Sequence, residues 1–208
     1  MAIDNNNLEI RMDSYFTSNI YTCYIPNWLK ELNKYSNKYI REIRKENLKD
    51  KKIDFGFSHC SYTLLGDNDF TILADFIKGV SKDILTQQGY DLSRKEVKLN
   101  DFWVQEFAKK GGGHQSYHVH PSNHISGFYF LKCSENTSYP IFEDPRPGKV
   151  MTDLQEINSS DITVSTHKVF YKPKPGTLML FNSYLPHHFA VDHGIDPFRF
   201  IHFNLSAV

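Results

Sequence analysis

Residues 114 to 127 read "HQSYHVHPSNHISG" and hold four of the chain's ten histidines. Residues two apart on an extended strand face the same side. His118 and His120 therefore project together, with Val119 on the opposite face. Pro121 restricts His120 to an extended conformation and closes the strand. Two neutral imidazoles on one face make half of a metal site, because imidazole is the commonest ligand for first-row transition metals. A third ligand must come from elsewhere, and "FNSYLPHHFAV" offers His187 or His188 directly after Pro186. A lone histidine is usually a surface or core residue, but His-x-His at one strand end with Pro-His-His at another is a metal-binding pattern. His59, His167, His193 and His202 keep the ordinary reading. His114 and His124 sit in flanking loops and are not counted as ligands.

The elements that must position these side chains come in two blocks. After Pro26, "NWLKELNKYSNKYIREIRKEN" places Leu29, Leu32, Tyr35, Tyr39, Ile40 and Ile43 at helical spacing. Its nine Lys and Arg against four Asp and Glu between residues 29 and 52 are read as a solvated outer face. A second amphipathic helix follows Asp69, with Phe70, Leu73, Ala74, Ile77, Val80, Ile84 and Leu85 on its apolar side and Gly89 at its end. Residues 8 to 24 alternate loosely, as an opening strand would. From about residue 96, seven short apolar or alternating runs follow, separated by Gly, Pro, Asn and Asp: "VKLNDFWVQEFAKKGGG", "ISGFYFLK", "YPIFED", "ITVSTHKVFYKP", "GTLMLFN", "HHFAV" and "FRFIHFNLS". That texture predicts an antiparallel sandwich or jelly roll. We expect the fold class α+β, mainly β: a jelly roll, or double-stranded β-helix, whose N-terminal helices brace one sheet. We expect a single domain over 1–208, with a helical support region and opening strand in 1–95 and the jelly-roll core in 96–208.

Bulk properties narrow the function. At 208 residues the chain can bury a substantial core. Lys plus Arg equals Asp plus Glu, 24 each, so no global field favours long nucleic acid or an acidic membrane. Cys23, Cys60 and Cys133 are odd in number and widely spaced, which points to a reducing compartment, the cytoplasm, and away from a disulfide framework. No apolar run is long enough for a membrane span, and the first residues are too polar for a signal peptide.

Two jelly-roll families pair histidines in this way. Gly112 with His118 and His120 fits the first half of the cupin motif, but His124 and Ile125 stand where its Glu belongs. Pro175-Gly176 then leads into "TLMLF" with no His. A cupin-like three-His metalloenzyme without 2-oxoglutarate is thus one alternative, and a non-catalytic jelly-roll binding module another. The chain resembles more fully the 2-oxoglutarate/Fe(II)-dependent oxygenases, in a prolyl-hydroxylase-like branch of phage and marine bacterial type. Pro175-Gly176-Thr177-Leu178, Phe181, Pro186-His187 and Arg199 follow that family's distal order, and "HVHPSNHISGFYFLK" with "FEDPRPG" resembles its proximal half, over about residues 100 to 205.

The resemblance implies iron held by His118, His120 and His187, with His187 preferred to His188 because it directly follows the turn proline. It implies Arg199 on the distal carboxylate of 2-oxoglutarate, a pairing that suits a planar guanidinium. His120 stands where the family's usual triad has a carboxylate. Phe107 and Phe130 fall where related prolyl hydroxylases place cosubstrate-binding tyrosines, and Tyr129 and Gln105 lie near enough to substitute. Asp144 and Arg146 of "FEDPRPG" are candidate substrate contacts at the rim. "KKGGG" at 109 to 113 lacks the setting of a phosphate loop and reads as an approach to the histidine strand. "DHGIDP" before Arg199 reads as a lengthened loop. The implied activity is an Fe(II)- and 2-oxoglutarate-dependent dioxygenase, a hydroxylase taking O2 and a small-molecule or peptide substrate.

Overall fold

The computed structural model describes residue 11 and residues 13–147 and 154–208. The first part of the strand expected over residues 8 to 24, and Gly148 of "FEDPRPG", lie outside them. Among the described residues, ten strands form two antiparallel sheets. The larger contains β1 (Ile20–Tyr24), β8 (Thr177–Asn182), β5 (Ile125–Lys132), β10 (Arg199–Ala207), β3 (Val97–Phe107) and β2 (Ser58–Cys60), in that spatial order. The smaller contains β4 (Gln115–His118), β9 (His187–Phe189), β6 (Pro140–Glu143) and β7 (Lys168–Phe170). Each of the seven expected runs contributes one strand. β1 and β2, from the N-terminal half, extend the larger sheet at both edges.

Two cores lie on the two faces of the larger sheet. Between the sheets pack Phe107, Phe128, Phe130, Phe142, Phe181, Phe189, Phe198 and Phe200, with Met179 and Leu185. On the outer face α1 (Leu29–Asn47) and α2 (Thr71–Gln87) cover Val104, Tyr129, Leu131, Ile201 and Phe203. The central strands are therefore buried on both sides, which is why β5 and β10 read as nearly continuous apolar runs. Along β10 alternation divides the chemistry: Phe200 joins the inner core, whereas Ile201, Phe203 and Leu205 join the helix-side core. The expected helix stop at Gly89 is present. Gly89 takes φ +91°, Gly89 N–H donates to Thr86 O, and Tyr90 N–H donates back to Leu85 O.

The buried stripe of α1 is Leu32, Ser36 and Ile40, and the small Ser36 leaves room for a polar contact with the sheet. Arg199 fills it, donating from Nη1 to Ser36 Oγ and Asn37 Oδ1 at 2.8 Å each. Its Nε pairs with Glu106 on the adjacent strand. Arg44 of α1 reaches the other oxygen of Glu106 at 2.5 Å and Asp54 at 3.0 Å. The basic face of α1 thus gives up one arginine to the interior. Burial alone would raise the Glu106 pKa, but Arg199 and Arg44 together hold it below the usual glutamate value. Removing one partner of such a buried pair strands a charge. Glu106→Ala should lower unfolding stability in urea by about 3 kcal/mol, with the iron-binding stoichiometry of the folded fraction unchanged.

Candidate metal centre

β4 and β9 pair antiparallel, and the register sets His118 directly opposite His187. The turn from β8 to β9 is fixed by Leu185 N–H donating to Asn182 O. His120, just past the end of β4, is held by its own N–H donating to Ser183 O at 2.9 Å. One nitrogen from each of His118, His120 and His187 lies within 4.8 Å of the others. Val119 faces outward, half exposed, as the alternation requires.

The tautomers follow from the hydrogen bonds. His118 Nδ1 lies 2.6 Å from Ser116 O and His187 Nδ1 lies 3.0 Å from Leu185 O, so each Nδ1 carries a proton and each Nε2 offers a lone pair. His120 Nε2 stands 3.3 Å from His187 Nε2. Two ring nitrogens so placed, one of them already assigned as an acceptor, are readily bridged by a cation. Burial, reinforced by the neighbouring His118, lowers the His120 pKa to about 4, with Asp101 opposing. Burial lowers that of His187 to about 3. Both imidazoles are neutral at pH 7, the form a metal requires. An all-nitrogen, redox-compatible donor set suits iron, with coordination positions left for other ligands.

His188 points to the other face of β9, where its Nε2 lies 3.3 Å from Glu143 Oε1. His187 is therefore the residue that joins the cluster. His114 is exposed against Gly112 O, and His124 accepts from Ala207 N–H, so neither joins.

The expected cosubstrate contacts divide. Arg199 is not brought to the histidines; strand alternation turns its guanidinium through the sheet to α1, where Glu106, Ser36 and Asn37 engage it. It is the one fully buried cation among the described residues, so no buried Arg or Lys faces the inner core. Tyr129 is likewise on the helix side, its hydroxyl donating to Ile25 O. Gln105 is on the inner side and fully buried. It accepts from Gln115 Nε2 at 3.0 Å and Trp103 Nε1 at 3.4 Å, and donates to Ser58 Oγ. Arg146 forms a bidentate pair with Asp144, at 2.9 and 2.6 Å. Both line a groove of about 510 Å³ that also touches Phe142 and Leu185, the residues against His187.

His202, read as ordinary from sequence, lies at the centre. Its ring is 4.8 Å from that of His120 and 4.3 Å from Trp103, and its Nε2 is buried without a hydrogen-bond partner. The sequence did carry a signal: Arg199 and His202 are three apart on one strand and cannot share a face. Around it runs a polar chain. Asn204 Nδ2 donates to Asp101 at 2.9 Å, Ser126 Oγ donates to Asn204 Oδ1 at 2.7 Å, and Ser126 bonds Ser183 at 2.8 Å. This chain ends at the residue whose carbonyl anchors His120.

Residues 101–204 match the family described as "Putative 2OG-Fe(II) oxygenase". Among solved structures, the chain is similar to AviO1 from Streptomyces viridochromogenes Tue57, with TM-score 0.62 and 8% identity over 91% of this chain and 90% of that one. A Pseudomonas putida prolyl-4-hydroxylase gives 0.55 and 10%, over 91% and 94%. Iron-bound EctD from S. alaskensis gives 0.59 and 11%, over 91% and 73%. At these identities the likeness is one of fold. No curated protein matches in sequence.

Two outcomes follow for the metal-free protein. His187→Ala should abolish stoichiometric binding of one Fe(II) per chain in anaerobic titration, whereas His188→Ala should retain it. In the unfolded chain His120 and His187 titrate near 6.5, above their folded values. The unfolded state therefore binds more protons between about pH 4 and 6.5, so stability should fall as pH drops through that window, as read by urea midpoints.

Proposed function

The chain belongs to the 2OG-Fe(II) oxygenase family, and from that premise we propose that it hydroxylates a peptide side chain or an apolar small molecule, with His118, His120 and His187 as its iron ligands. Its cofactors are Fe(II) and 2-oxoglutarate, for which the family is named, and O2 is the oxidant. When bound, they supply the oxidation of an unactivated C–H bond, coupled to decarboxylation of 2-oxoglutarate to succinate. The observation that carries the reading is the convergence of three imidazole nitrogens within 4.8 Å.

The protein's own residues divide the work. His118, His120 and His187 hold the metal in a three-nitrogen set, with one negative charge fewer than a two-His, one-carboxylate site. The phenylalanine core behind them excludes water, which strengthens polar interactions at the metal. The distal carboxylate of 2-oxoglutarate, with no arginine inside the sandwich, is received by neutral donors. Gln105 and Gln115, whose amides each spend one N–H on Ser58 and Gln105 respectively, would supply their second N–H, and His202 would supply a nitrogen without a partner. That orphaned nitrogen is the kind of buried polar atom that calls for a ligand. The groove beside Phe142 and Leu185 offers the substrate an apolar bed of Tyr15, Phe16 and Ile20, with Arg146 and Asp144 at its rim.

No helix among the described residues is long and apolar enough to cross a membrane. The free thiols of Cys23, Cys60 and Cys133 favour the cytoplasm.

Anaerobic addition of Fe(II) and 2-oxoglutarate should give a visible charge-transfer band, and O2 should then release succinate. Gln105→Leu should raise the 2-oxoglutarate concentration for the half-maximal band about tenfold, the loss of one charge-assisted hydrogen bond, while leaving iron stoichiometry at one. Stoichiometric iron with no band would instead mark three-His chemistry independent of 2-oxoglutarate.

A further inference from the structure

Two features of the sequence take no part in the iron centre: the "KKGGG" run and the lengthened "DHGIDP" loop. The structure brings them together at the opposite end of β10. Gly112 N–H donates to Asp192 O, Asp192 N–H donates to Gly113 O, and the Asp192 carboxylate accepts from Ser138 and Gly194 N–H, each at 2.8 Å. A Cβ on Gly194 would run into the backbone of Gly111, so the loops interlock main chain to main chain. Beneath them is a cavity of about 350 Å³ whose ionic lining is Arg44, Lys109, Lys132, Arg199, Glu106 and Asp196.

The charges in this cavity do not balance. Four cations face two acids, so the lining carries +2 (4 − 2). Asp54, outside the cavity, lies against Arg44 and lowers the excess only to +1. Glu106 is already shared by Arg199 and Arg44, one on each oxygen. Asp196 accepts from Ser134 Oγ at 2.6 Å and Asn136 Nδ2 at 3.2 Å. Among the described residues, neither Lys109 nor Lys132 makes an ion pair. Lys132 is half-buried, and the register of β5 against β10 sets it directly opposite Arg199. Like charges facing each other across a strand pair are destabilising, and a cation withdrawn from water without a counter-ion is more so. Burial and the nearby Arg199 both push the Lys132 pKa down.

We propose that this cavity is a binding site for a small dianion, an inorganic phosphate or a dicarboxylate, held by Lys132 and Lys109 over the Arg44–Glu106–Arg199 network. The volume lies within the range of small-ligand sites. The site is separate from the iron centre. Arg199 and His202 are three residues apart on β10, roughly 10 Å along the strand, on opposite faces, with Phe107 packed between the cavity and the inner core.

The test uses the full chain freed of metal with a chelator. Phosphate, succinate and acetate are titrated separately by calorimetry at constant ionic strength. One phosphate or one succinate should bind per chain, and whichever is tighter identifies the source of the dianion. Acetate should bind at least about tenfold more weakly, lacking the second charge. Lys132→Met should weaken dianion binding about tenfold or more. Lys109→Met, at an exposed position that does not threaten folding, should weaken it as well. His187→Ala should bind as the parent does. Equal affinity in the parent and Lys109→Met, acetate binding as tightly as the dianions, or loss of binding in His187→Ala would each overturn the proposal.

Discussion

The arrangement depends on one backbone register. Pairing β4 with β9 so that His118 faces His187 joins two imidazoles separated by 69 positions (187 − 118), and the Ser183 carbonyl fixes the third. Two of the three rings are oriented by a partner other than the metal. His118 and His187 spend their Nδ1 protons on nearby carbonyls, so their Nε2 lone pairs are committed inward before any ion arrives. Burial keeps His120 and His187 neutral, which removes the competition between proton and metal at physiological pH. A centre built this way is preorganised by strand pairing.

The same strand, β10, serves two purposes because its faces alternate. Inward it presents Phe200, His202 and Asn204, on the side of the three-histidine cluster. Outward it presents Arg199 to a buried ionic network that ties α1 to the sheet. The one buried arginine among the described residues is thereby committed to holding the helix layer in place. The inner core is left aromatic, and polar contacts there fall to amides, an indole and an imidazole. Neutral donors in a low-dielectric interior still favour an anion, but with less charge to neutralise than an arginine would bring.

Much of this was legible in the sequence. The helical spacing before residue 90, the seven strand runs after residue 96 and the His-x-His alternation each rest on local periodicity, which survives tertiary packing. That His187 rather than His188 joins the cluster was legible because Pro186 fixes the turn, and the two must face opposite ways. The expectation for Arg199 rested on its order after Pro186-His187 and on guanidinium chemistry, neither of which fixes its parity on the final strand, and that parity turns it to α1. His202 was passed over for the same reason, since a histidine within an apolar run reads as core until its face is known. The paired loops at 109–113 and 192–197 could not be joined from sequence, because their contact is made by main-chain atoms that any residue supplies.

The most direct test of the metal centre is Fe K-edge X-ray absorption on the anaerobically iron-loaded protein. The account predicts multiple scattering from three imidazoles around one iron, falling to two when His118 is replaced by Ala and unchanged when His188 is. Iron bound with no imidazole scattering, or scattering indifferent to His118, would contradict it.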